Sequence, residues 1–310
     1  MPVRPVYEGS LWKGLVVGTT VAHAMGLGGF YLIQDKTGAM GWVLFLLLPL
    51  FTGFATALMV VGSKLITASL FMGLIICTLV LLMTGAEGLV CVLMSTPLIA
   101  AGLAIGAALG SLTRRKLLNG RPLGTQRFLS LLLIGVLPFF IMGANSIEEK
   151  SRRTLRKQMV EDRLVVDASP ERAWEQLKNI DKVTSKKGLL MTIGLPVPVR
   201  CTMEGEGVGA KRTCYFEKGH IEERVTEWNP PKSMKFEITD FDVPGRPWLS
   251  FKDASYDLVR ENGKTLIIRK TTILSRLSPV FYWQPLERMG VETEHEFLFD
   301  ELSRRLNGAK

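Results

Sequence analysis

The 310-residue sequence predicts an α-helical multi-span membrane region followed by an α+β domain, a curved antiparallel sheet around a long C-terminal helix. Three observations predict it. Charge is unevenly divided: residues 1–147 hold nine Lys/Arg and three Asp/Glu, whereas residues 148–310 hold 29 and 26. The first part contains five uncharged stretches of at least 20 residues. The second part runs strand, helix, six strand-like segments and one long helical pattern. This division excludes a single soluble globule. Apolar residues at 47% and only four cysteines exclude a disordered, collagen-like or disulfide-dense chain.

The uncharged stretches are 14–34, 37–63, 65–86, 88–113 and 128–147. About 20 apolar residues carry a helix across the hydrocarbon core. The expected membrane domain is therefore 1–147, with helices at 14–34, 40–62, 65–86, 88–113 and 128–147. The first contains Thr19, Thr20 and His23, lacks a compact leucine-rich core and precedes further spans, so it reads as a retained helix and not a signal peptide. The fifth carries Pro138, which a membrane helix tolerates as a kink. Gly102, Gly106 and Gly110 recur four apart, a spacing that allows close helix packing within a bundle. His23 is the one ionisable side chain well inside a span, and Cys77 and Cys91 read as small apolar residues. The membrane half reads as an anchor or an apolar chamber.

Sidedness rests on the basic residues. With all five segments crossing, eight Lys/Arg fall on the N-terminal side and six on the other, which does not choose an orientation. A fifth segment that fails to cross would put both basic clusters on one face. On that placement the expectation is a cytosolic second half of an integral protein of a bacterial inner (plasma) membrane.

Residues 148–161 read as a basic polar linker leaving the membrane as a helix, with cations that can reach anionic headgroups. The domain is expected over 162–307. A short strand at 163–167 meets Ser169-Pro170-Glu171, a helix start with an N-cap, a proline at the first position and an acid in the first turn. Strand-like runs follow at 197–204, 210–217, 220–228, 234–240, 248–260 and 265–274. Asn262-Gly263 marks a two-residue hairpin. A broad apolar stripe over 283–307 predicts the final helix.

The opening run from Arg163 to Leu177, with Ala168, Ser169, Pro170, Glu171, Trp174 and Leu177, resembles the start of the START-like superfamily, also called the helix-grip, SRPBCC or polyketide-cyclase-like fold. The turn Gly205 to Ala210 followed by Lys211-Arg212 is similar to that family's second turn. The run from Gly219 to Pro231 resembles its next strand and bend. The resemblance covers about residues 160–307. It implies a deep apolar pocket for lipids, sterols, quinones or polyketides, and a minority of such domains are enzymes. It does not name a reaction.

The expected ligand contacts are the inward-facing Cys201, Met203, Phe216, Phe236, Ile238 and Tyr256 of the strands and Met289 and Phe297 of the final helix. A turn centred on Gly207-Val208 pairs positions whose numbers sum to 415, so Cys201 lies opposite Cys214. In a reducing cytosol these are two thiols; in an oxidising compartment they are placed for a cross-strand disulfide. Two cysteines without neighbouring His or Cys do not complete a metal site, so no metal is expected. His295, between Glu294 and Glu296, is the candidate base and needs a partner that sequence does not supply. Arg200, Glu204 and Tyr256 are candidate polar groups of the pocket. Trp248, Tyr282 and Trp283 are expected at the membrane interface, where such rings concentrate. The glycines at 205, 207 and 209 join two strands and do not lead into a helix, so they are no phosphate loop. The near-balanced charge of the second half and the lack of a binding motif exclude nucleic acid, and no cofactor is expected.

The expected function is binding of a hydrophobic ligand (lipid, isoprenoid or polyketide), to transfer, store or sense it at the membrane. The alternatives are a cyclase or isomerase using the same pocket, or a transporter regulated by the domain. The expectation favours a binder over an enzyme, and the oligomeric state is not read.

Overall fold

The computed structural model describes residues 11–33, 41–119, 121–151, 155–243 and 249–307. The chain divides into two compact units: Met1–Thr154 with Leu277–Pro279, and Leu155–Arg276 with Val280–Lys310.

The first unit is helical. Helix α1 is Leu11–Ile33, α2 Val43–Met59, α3 Ser63–Met83, α4 Leu89–Thr113 and α5 Leu123–Ser151. A π-helical turn, Arg114–Leu118, extends α4. Among the described residues, four stretches are long and apolar enough to cross a membrane: Leu11–Ile33, Ser63–Met83, Leu89–Leu118 and Gly124–Glu149. Helix α2, expected over 40–62, is shorter than predicted. Val60 turns extended and Gly62 takes φ +99°, a conformation that ends a helix and suits glycine.

Helix α2 is nevertheless the buried centre of this unit, with Val43, Ala55, Ala57 and Leu58 at 0% exposure. The glycine stripe of α4 packs against it. A Cβ on Gly106 would lie 1.9 Å from the Leu50 carbonyl oxygen, so the two backbones touch and no larger residue fits. Both ends of α2 are capped by charges from other helices. The Glu148 carboxylate accepts from the N–H groups of Trp42 (2.7 Å) and Val43 (3.3 Å). The Arg114 Nη1 donates to the carbonyls of Leu58 (3.0 Å) and Val60 (3.1 Å). An acid at the N-terminus and a cation at the C-terminus match the helix dipole and satisfy backbone groups that the helix leaves open. Glu148 lies near the end of α5, and Arg114 follows the end of α4. Helix α2 is therefore held at one end by α5 and at the other by the end of α4.

The second unit has seven strands: β1 Arg156–Val166, β2 Pro198–Glu204, β3 Lys211–Phe216, β4 His220–Asn229, β5 Ser233–Asp242, β6 Leu249–Glu261 and β7 Lys264–Ser275. Its helices are α6 Pro170–Lys178, α7 Leu189–Thr192 and α8 Val280–Asn307. One antiparallel sheet runs β1-β7-β6-β5-β4-β3-β2 and curls around α8, a helix-grip arrangement. The linker expected as a helix over 148–161 differs. Helix α5 continues to Ser151, and β1 begins at Arg156 because β7 offers partners along the whole of β1, from Arg156↔Ser275 to Val166↔Thr265. Ser169 Oγ accepts from the Arg172 N–H (3.3 Å) and caps α6. Asn262 (φ 51°) and Gly263 (φ 81°) form the β6–β7 turn with two positive φ angles. One end of the unit is a closed core of Trp174, Leu177, Val225, Met234, Leu258, Ile267, Leu302 and Leu306. There Trp174 meets Trp228 edge-on at 4.9 Å.

Candidate functional site

Strand register decides which side chains meet on the concave face. Asp162 on β1 pairs with Arg269 on β7, which pairs with Tyr256 on β6. Across the sheet, Arg212 on β3 pairs with Glu223 on β4, which pairs with Ile238 on β5. All but Ile238 carry a polar group, and period-two alternation sends them to the same face as buried Val160, Ile267, Cys214 and Val225. The result is a polar band across the inside of the sheet. The Arg212 guanidinium lies 5.0 Å from the Phe236 ring centroid and 6.0 Å from that of Tyr256, and Arg269 lies 5.5 Å from the same Tyr256 ring. Arg212 Nη1 pairs with Glu223 Oε2 at 2.7 Å, and Arg269 Nη2 with Glu294 Oε2 at 2.8 Å. Burial opposes the charge on each arginine. Glu223 and Tyr256 beside Arg212, and Glu294 and Tyr256 beside Arg269, outweigh burial and keep both protonated.

His295 on α8 is fully buried. Its Nδ1 lies 2.6 Å from Asp162 Oδ2 and its Nε2 2.7 Å from Thr271 Oγ1. Burial first, and the Arg269 charge second, push its pKa down to about 2. The ring is neutral, donating through Nδ1 to Asp162 and accepting the Thr271 hydroxyl at Nε2. Burial and the like charges of Glu292 and Glu296 raise the Asp162 carboxyl above its ordinary range. Both histidine nitrogens are occupied and Thr271 is 3% exposed, so this trio pins α8 to β1 and β7 and offers no free base.

The polar band separates two apolar regions. On one side lies the closed core. On the other, Phe216, Ile238, Phe241, Leu249 and Phe251 are only half-buried, with the Phe241 and Phe251 rings 5.4 Å apart. Of the expected ligand contacts, Phe216 and Ile238 lie in this open half. Phe236 and Tyr256 are buried in the band, and Met203 packs against the closed core. Phe297 is buried with Met191 and Val197, and Met289 is 39% exposed. Cys201 and Cys214 are directly opposed, Cα–Cα 4.0 Å, with their Sγ atoms joined. Arg200 is exposed and stacks over Tyr215 at 4.4 Å, and Glu204 is exposed; neither reaches the band. Of the interface rings, Trp248 lies outside the described residues, Tyr282 is half-buried, and Trp283 is buried at 3% exposure and is not presented. Phe281, 79% exposed, is the ring presented at the start of α8. Among the described residues no His, Cys, Asp or Glu group forms a metal-ligand cluster.

Sequence reasoning missed Arg212, Glu223, Arg269 and Glu294. The strand residues had a signal in parity. Glu223 stands between Ile221 and Val225 at inward positions, and Arg269 between Ile267 and Thr271. A charge at an inward position needs a partner, and the partner lies on another strand or on α8.

No family model matches the sequence, and no curated protein matches it. Among solved structures, the Aha1 dimer from Colwellia psychrerythraea aligns at 18% identity with a TM-score of 0.32, covering 49% of this chain and 98% of its own. The Zhui aromatase/cyclase from Streptomyces sp. R1128 aligns at 14% and 0.35, covering 50% and 98%. Norcoclaurine synthase from Thalictrum flavum, in complex with dopamine and hydroxybenzaldehyde, aligns at 14% and 0.35, covering 51% and 91%. These neighbours have helix-grip folds.

Proposed function

We propose that the chain is a membrane-anchored helix-grip protein that holds a hydrophobic small molecule in the open half of its concave face and stores, senses or hands it over at the membrane. One observation carries this reading. Inward-pointing Phe216, Ile238, Phe241, Leu249 and Phe251 stay half-buried next to a core that is otherwise closed. Apolar side chains left partly uncovered on a concave face gain by covering themselves with ligand, at about 25 cal/mol per Å². Purified full-length protein should take up a fluorescent lipid, and Ile238→Glu should weaken uptake about ten-fold or more, since it puts a carboxylate against the ligand's apolar body. Uptake unchanged in Ile238→Glu would contradict the placement. A cyclase or isomerase reading asks for a free acid or base near neutral pKa, and His295 is neutral with both nitrogens occupied.

The four long apolar helices support anchoring in a membrane, for which a bacterial inner (plasma) membrane is the proposal. If all five helices cross, the N-terminal side carries Arg4, Lys13, Lys64, Arg114, Arg115, Lys116, Arg121 and Arg127. The other side carries Lys36, Lys150, Arg152, Arg153, Arg156 and Lys157. Eight against six does not choose a side, so the extracytoplasmic placement proposed for the second unit, against the cytosolic expectation, rests on the cysteine pair. The joined Cys201–Cys214 pair suits an oxidising compartment.

A further inference from the structure

The packing of the helical unit gathers its cations at one end. A Cβ on Gly14 would lie 2.7 Å from the Leu65 side chain, so α1 and α3 start side by side. A Cβ on Gly18 would lie 2.8 Å from Val60, where α2 stops, and α3 begins at Ser63. Arg114, just past α4, donates to the carbonyls of Leu58 and Val60. Helix α5 begins at Leu123, a short link beyond Leu118. An end of each of the five helices therefore lies here. This end carries Lys13, Lys64, Arg115, Lys116 and Arg121, all exposed. Among the described residues it carries no Asp or Glu. The described carboxylates of the unit, Glu87, Glu148 and Glu149, lie at the opposite end, after α3 and in the last turns of α5.

Like charges gathered on a surface without carboxylates raise the local potential and favour an anion. The neighbouring side chains decide which anion. Trp12, Leu117 and Phe128, apolar and exposed, stand next in sequence to Lys13, Lys116 and Arg127. Free phosphate would meet the cations and leave these side chains uncovered. A phospholipid covers both, with its phosphate on the cations and its acyl chains along the helices. A zwitterionic headgroup brings a cation of its own to a basic surface, whereas an anionic one brings none.

We infer that this end of the helical unit is a docking surface for anionic phospholipid, held by Lys13, Lys64, Arg115, Lys116 and Arg121. The inference rests on anchoring in a membrane and not on occupancy of the concave face.

The test uses full-length protein in a nonionic detergent, offered dioleoyl phosphatidylglycerol and dioleoyl phosphatidylcholine in equal amounts. Native mass spectrometry reads the bound lipid. Each cation near an anionic lipid surface favours it about five-fold, so phosphatidylglycerol should be preferred about ten-fold or more. In Arg115→Gln with Lys116→Gln the ratio should fall to within about two-fold. Thermal melting checks that this variant is folded, and Lys13→Gln with Lys64→Gln carries the same test if it is not. Lys235→Gln with Lys252→Gln, which removes two exposed cations from the second unit, should leave the ratio unchanged. An equal fall in that variant, or no fall in the first, overturns the placement. Equal binding of the two lipids by the native protein overturns the inference, with water serving the cations, and leaves anchoring standing. Displacement of phosphatidylglycerol by inorganic phosphate, beyond that by chloride at equal ionic strength, overturns it in favour of a free-phosphate site. Binding of neither lipid overturns anchoring and the inference together.

Discussion

His295 ties acid stability to a single ring. Its pKa is about 6.5 in the unfolded chain and about 2 in the folded one. Below pH 6.5 the unfolded chain binds a proton that the folded chain refuses. Stability therefore falls as pH drops through 6.5, by up to about 1.4 kcal/mol per pH unit. Asp162, raised by burial and by Glu292 and Glu296, acts in the opposite sense: the folded chain takes up its proton first, which stabilises it at the acid end of the window. Thermal melts between pH 6.5 and 5 should show a downward slope that His295→Gln flattens; parallel slopes would count against the buried neutral ring. The Arg212–Glu223 pair makes a second prediction at this scale. Arg212→Met leaves a carboxylate buried at 7% exposure and should cost about 3–5 kcal/mol. The double change Arg212→Met with Glu223→Leu should recover most of the lost Tm, because the pair and not either charge alone is what the interior tolerates. No recovery would mean that the two residues stand in separate environments. None of these partnerships was legible in the sequence. Asp162, Thr271 and His295 lie on three different elements, and only register and the placement of α8 bring them together.

At the scale of elements, the backbone contact between α2 and α4 carries the prediction. Gly106→Leu should drive the two helices apart and cost about 1–3 kcal/mol or more, since even its Cβ has no space. Gly135→Leu on α5, where a Cβ meets nothing within 4 Å, serves as the comparison and should melt like the native protein in detergent. Equal melting of the two variants would show that α2 and α4 do not touch. The four-residue glycine spacing was legible, but its partner was not, because the spacing is compatible with a helix of the same chain or of another. Strand elements were read well wherever alternation was clean. The register of Cys201 with Cys214 follows from turn arithmetic alone. Reading failed where composition misleads. Residues 156–161 are too charged to resemble a strand, yet β7 pairs with each of them. Helix α2 is shorter than its apolar run because Val60 and Gly62 leave helical geometry.

The charge division between the two halves made the overall architecture legible from sequence, while sidedness was hidden. It depends on whether α2 and α5 cross, and the cations near the span ends divide almost evenly between the two sides. Val208, 70% exposed in the turn after β2, gives a direct test. An impermeant maleimide should label Val208→Cys in intact cells if the second unit is extracytoplasmic. Labelling only after the cells are opened would restore the cytosolic expectation. The central claim is occupancy of the concave face, and one measurement addresses it most directly: native mass spectrometry of the full-length protein purified from its membrane, with extraction of whatever accompanies it. The account predicts one reproducible hydrophobic molecule per chain, lost in Ile238→Glu. A protein that emerges empty and stays empty when offered lipids and quinones would contradict it.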